Sequence, residues 1–63
     1  MKNNMKTYIV YWHTVDRDGE TCRTGYSVVD GASNGRDAQR LFRKRGVDLY
    51  SGERLRIETV TGR

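Results

Sequence analysis

Arg36, Arg40, Arg43 and Lys44 recur through the stretch "SNGRDAQRLFRKRG" at spacings that gather cations on one side of a helix. Planar guanidinium groups in such a stripe can grip phosphate through paired hydrogen bonds. The solvated back of an ordinary helix also looks cationic in part, but it usually mixes Glu with Lys or Arg as i,i+4 pairs. Here the outward positions are nearly all cationic, with Gln39 neutral and Asp37 at the margin. A second group, Tyr11, His13, Arg23, Arg54 and Arg56, combines flat rings with guanidinium groups. That is the chemistry of a surface that stacks on bases and holds phosphate. It is equally the chemistry of a protein-binding hot spot, which favours Tyr, Trp and Arg. His13 and Cys22 could be close across a hairpin, and a Cys–His pair suggests a nucleophile, but catalysis would also need an orienting group, an oxyanion site and a pocket. Glu53 with Glu58, or Asp16 with Asp18, make no convincing acid–base pair. No residue is assigned a catalytic role, and the chain reads as a non-enzyme.

The elements that must carry these residues follow from periodicity and punctuation. "TYIVYWHTV", Thr7 to Val15, is β-branched and aromatic on both faces, which suits a central strand. "DRDG", Asp16 to Gly19, is a turn, because Asp-Gly between two strand-like runs supplies the positive φ a hairpin needs. It is a poor calcium loop, since the twelfth position counted from Asp16 is Ser27 and not Glu. "TCRTGYSVV", Thr21 to Val29, is the return strand. With Arg17-Asp18-Gly19 as a three-residue loop, Trp12 is expected opposite Thr24 and Val10 opposite Tyr26; a slip of one residue would exchange the faces. In "SNGRDAQRLFRKRG", Ser33 or Asn34 caps a helix, Asp37 lies in the first turn, Arg43, Lys44 and Arg45 lie in the last, and Gly46 stops it. Ala38, Leu41 and Phe42 form its apolar stripe, and Arg45 must snorkel along its stem. "YSGE", Tyr50 to Glu53, turns the chain into "RLRIETV", Arg54 to Val60, with Leu55 and Ile57 inward and Arg54, Arg56 and Glu58 outward.

The order β-β-α-β predicts a single small α+β domain spanning residues 1–63. Its three-stranded antiparallel sheet would have the first strand in the middle and one helix packed on one face. The helix is expected to cover Tyr8, Val10, Trp12, Tyr26 and Leu55, leaving Tyr11, His13, Arg23, Arg54 and Arg56 on the open face. Residues 1–5 are expected to be a flexible tail.

Composition bounds the function. A chain of 63 residues with net charge +4 buries only about 60% of its unfolded surface. Its one Cys and one His cannot form an intrachain disulfide or a four-ligand zinc site, and no cofactor or metal is expected. Nine of the twelve basic residues are Arg, which favours nucleic acid or an acidic protein surface as partner. "MKNNMKTYIV" lacks an apolar core and a cleavage site, so no secretory leader is expected there. The lone thiol suits a reducing cytoplasm. No run approaches the ~20 apolar residues of a membrane span, so no membrane partner is expected.

Two resemblances sharpen the partner. "YSVVDGASNGRDAQRLFRKRG" followed by "ERLRIETV" resembles the strand–helix–strand half of small phage-encoded proteins, among them anti-CRISPR inhibitors of multi-subunit surveillance complexes. That resemblance implies a protein that docks on a host nucleoprotein complex in the bacterial cytoplasm and perturbs its hold on DNA. "YIVYWHTVDRDGETCRTGYSV", continued by "GRDAQRLF", is similar to the arm-type DNA-binding domain of phage integrases, whose sheet enters the major groove. The chain departs from that pattern in having two strands before the helix and one after it. The expected function is an inhibitor or adaptor acting on a nucleic-acid-handling host complex. The alternatives are a direct, largely sequence-independent DNA- or RNA-binding domain and a homodimeric structural module.

Overall fold

The computed structural model describes residues 5–63; of the expected flexible tail only Met5 falls among them. Strand β1 spans Lys6–Val15, β2 Thr21–Ala32, helix α1 Gly35–Arg45 and β3 Arg54–Gly62. The sheet order is β2-β1-β3, antiparallel throughout, with α1 against one face. The expected α+β architecture and the central first strand are both present. No helix among the described residues is long and apolar enough to cross a membrane.

The hairpin loop forms as its residues require. Asp16 N–H donates to the Glu20 carbonyl (2.9 Å) and Gly19 N–H to the Asp16 carbonyl (3.0 Å), with Gly19 at φ 83. Asp16 Oδ1 accepts from the amides of Asp18 and Glu20, so this carboxylate secures the turn. The loop is therefore Arg17-Asp18-Gly19. The register beyond it differs from expectation. Val15 pairs with Thr21 but Thr14 pairs with Arg23, which leaves Cys22 as an extra, bulged residue. One inserted residue exchanges the faces of β2 from Arg23 to Val29, until a second irregularity between Val29 and Ala32 shifts the register again. Trp12 thus lies opposite Gly25, and Val10 opposite Ser27.

That register explains Gly25. A Cβ there would lie 2.6 Å from Cζ2 of Trp12, so the indole rests directly on the strand where a side chain would stand. Its Nε1 donates to Ser27 Oγ at 3.3 Å. A glycine inside a strand often marks such a close approach.

The core lies between α1 and the sheet. Val10, Val29, Ala32, Ala38 and Phe42 are buried, with Tyr8, Trp12, Leu55, Ile57 and Val60 packed around them. Leu41 is half-buried, less than its place in the apolar stripe suggests. Asn34 caps the helix, its Oδ1 accepting from Asp37 N–H at 2.8 Å. Asp37 reaches back to the amide and hydroxyl of Ser33 (3.0 and 3.2 Å), so both ends of the first turn are tied. Gly46, at φ 76, closes the other end with its N–H on the Phe42 carbonyl. Arg45 snorkels as expected and donates from Nη1 to the Val28 carbonyl at 3.2 Å.

Candidate functional site

The face of the sheet that α1 leaves uncovered is organised in cross-strand rows. Tyr26, Tyr11 and Thr59 form one, and Thr24, His13 and Arg56 the next; Arg54 lies further along, opposite Val15. On the other side of the tyrosines come Val28, Ile9 and Thr61. The Tyr11 and Tyr26 ring centroids are 6.2 Å apart and tilted by 52°. Tyr26 is 65% exposed and Tyr11 38%. Arg54 and Arg56 are exposed, and among the described residues neither guanidinium has a hydrogen-bond or ion-pair partner. A second bulge shapes this face. Tyr11 pairs with Thr59 but Trp12 with Ile57, leaving Glu58 as the extra residue. Glu58 Oε2 lies 3.0 Å from His13 Nδ1, so that nitrogen carries the proton it donates. His13 is thereby held, and the local charge of the carboxylate is partly answered.

Of the five residues expected on this face, Tyr11, His13, Arg54 and Arg56 are there. Arg23 is not, and Tyr26, expected under the helix, takes its place in the open. The bulge at Cys22 causes both exchanges. Arg23 instead lies beside Trp12 and Tyr50, its guanidinium carbon 6.0 and 4.7 Å from their ring centroids. It grips Glu53 with two bonds, Nε to Oε2 at 2.8 Å and Nη2 to Oε1 at 2.6 Å, and Nη2 also donates to the Asp48 carbonyl. Buried Thr14 donates to Glu53 Oε2 at 2.6 Å and accepts from the Arg23 amide at 3.1 Å, and Tyr50 N–H donates to Glu53 Oε1. The Glu53 side chain is only 4% exposed. Hydrogen bonds from Arg23, then from Thr14, hold its carboxyl at about 2, against an ordinary value of 4.5. The same bond to Glu53 raises Arg23. Arg23 therefore fastens the loop between α1 and β3 to the hairpin.

A concavity of about 430 Å³ lies beside this network, between the hairpin loop and Tyr50. Cys22 lines it, but local desolvation and the Asp16 carboxylate push the thiol above its ordinary value, which disfavours the nucleophilic thiolate. Cys22 Sγ lies 3.7 Å from the Glu20 carbonyl while His13 pairs with Glu58, so the two do not bond each other. No cluster of metal-ligating side chains forms among the described residues.

On the helix, Arg36, Arg40, Arg43 and Lys44 are all exposed. Arg40 is bound to Asp37, at 3.0 Å through Nε and 2.6 Å through Nη2. The stripe therefore holds an internal ion pair and is less purely cationic than its sequence suggests. The Ser33 amide and then the Arg40 guanidinium hold the Asp37 carboxyl below its ordinary value. This stripe belongs to the helix, on the opposite side of the sheet from Tyr11 and Tyr26, so the two candidate surfaces do not merge.

Neither protein-family models, nor curated proteins, nor solved structures gave a match to this chain. Sequence reasoning missed Tyr26 as a surface ring and Glu53 as a buried anion. The glycine at position 25 was the available signal for the first, since a Trp needs an empty place to lie.

Proposed function

We propose that this chain is a binding protein without catalytic activity, and that its open sheet face engages nucleic acid. The observation that carries the reading is the pairing of exposed rings, Tyr11 and Tyr26, with Arg54 and Arg56, which have no partner among the described residues, on the face α1 does not cover. Rings offer stacking surfaces and free guanidinium groups offer phosphate contacts. The net charge of +4 favours approach to a polyanion. Arg36, Arg43 and Lys44 on the helix are a secondary phosphate-contacting surface. A bacterial cytoplasm, where nucleic acid and its handling complexes are exposed, is the matching compartment.

A second reading is an inhibitor or adaptor that docks on a host nucleoprotein complex, as small phage proteins do. The observation favouring it is the exposed Val28, 38% accessible, which extends the tyrosine pair into an apolar patch. One titration separates the readings. Nucleic acid added to the labelled protein in low salt should shift amides of β1, β2 and β3 on the open face, and the affinity should fall steeply as salt rises. An unchanged amide spectrum would overturn the first reading. Recovery of a specific protein from nuclease-treated bacterial lysate, lost with Tyr26→Ala, would then support the second.

A further inference from the structure

The tyrosine pair says more about the ligand than that it is a polyanion. In a duplex the base faces are covered by their neighbours, and the grooves present only edges. Reading edges relies on Arg, Lys, Asn and Gln placed centrally. Among the described residues the open face has no Asn or Gln, and its two arginines sit to one side, opposite His13 and Val15. Its centre is instead occupied by two rings on adjacent strands. Their 52° tilt means they do not stack face to face on one another, so ring surface stays available on both. At 65% exposure Tyr26 in particular leaves much of its ring in water, an arrangement that unpaired bases can satisfy.

Resting on the reading above, we infer that the open face selects single-stranded nucleic acid, with successive bases on Tyr26 and Tyr11 and phosphates on Arg56 and Arg54. The register supports this path. Arg56 stands opposite His13, one same-face step along β1 from Tyr11, and such a step is about 7 Å. Arg54 lies a further same-face step along β3. Thr24 and Thr59 flank the rings and supply hydroxyls for base or sugar without demanding one sequence. Two acids share this face: Glu58 beside the Tyr11 row is held by His13, and Asp30 beyond Val28, at the end away from the arginines, accepts from the Thr7 hydroxyl. Their positions direct the backbone towards Arg56 and Arg54.

Binding of labelled oligothymidylate, oligouridylate and a duplex of equal length, read by fluorescence anisotropy at one salt concentration, tests the inference. At least one single strand should bind roughly tenfold or more tightly than the duplex. Preference for thymidylate or uridylate assigns DNA or RNA, and either supports the proposal. Tyr26→Ala should weaken single-strand binding roughly tenfold, as expected for loss of one stacked base, while Tyr26→Phe should retain it because the ring and not the hydroxyl is needed. A duplex bound as tightly as the single strands would overturn the selectivity and leave nucleic-acid binding by this face standing. Equal weakening by Tyr26→Phe and Tyr26→Ala would overturn stacking. If no nucleic acid binds, the underlying function falls with it.

Discussion

Trp12 and Tyr11 are neighbours on the middle strand and meet opposite fates. Trp12 lies flat on Gly25 under the helix side, its N–H donated to Ser27. Tyr11 points to the uncovered side and stays in water beside the still more exposed Tyr26. Around Trp12, buried polar groups are satisfied: Thr14, Arg23 and Glu53 answer one another, and no buried side-chain polar atom among the described residues lacks a partner. Around Tyr11, the Arg54 and Arg56 guanidinium groups have no partner among the described residues. One face has been closed by packing and hydrogen bonding, and the other leaves two rings and two guanidinium groups in water. In a small domain with a thin margin of stability, folding depends on the first face, which leaves the second open to selection for recognition.

Substitutions can break this contrast, and the largest effect belongs to the covered face. Phe42 is fully buried, and Phe42→Ala should cost about 3–5 kcal/mol. In a chain of this size that should abolish cooperative unfolding seen by circular dichroism. Next comes the Glu53 network, which acidification can probe without mutation. Because the folded state holds the Glu53 carboxyl at about 2 rather than 4.5, its stabilisation is complete above pH 4.5 and declines as pH falls towards 2. Asp37 contributes in the same direction. Denaturant midpoints across that range should fall, and Glu53→Gln should give a lower midpoint at neutral pH with a shallower pH dependence.

Gly25→Ala forces a methyl against the indole and should cost about 1–3 kcal/mol, with a changed near-ultraviolet signal from Trp12. The smallest effect belongs to the open face. Tyr26→Ser should change stability by no more than about 0.5 kcal/mol while weakening nucleic-acid binding. A large loss of stability there would mean that the two faces are not independent.

Much of the architecture is legible in the sequence because its signals are local. Asn34, Asp37 and Gly46 mark the helix ends through their own side chains or lack of one, and Arg17-Asp18-Gly19 marks the loop. The register is harder to read, because the bulge at Cys22 is decided by how two strands fit, and its one sequence signal is Gly25, the empty place that Trp12 needs. The bulged residue moved Arg23 off the open face and Tyr26 onto it. The Glu53 clamp is hidden for a related reason: its side-chain partners, Thr14 and Arg23, come from β1 and β2, far from it along the chain. The Arg40–Asp37 pair, by contrast, is an i,i+3 contact that spacing alone can suggest.

Arg45 has a consequence for self-association. Its guanidinium sits on the Val28 carbonyl, and β2 is an outermost strand of the sheet. The main chain along such an edge is a template on which a strand of another molecule can pair, the first step towards amyloid-like stacking. By occupying one rung of that template, a helix residue makes the long edge of β2 a worse substrate for a neighbour. The side chain that snorkels off the apolar stripe of the helix thus also guards part of the sheet's edge.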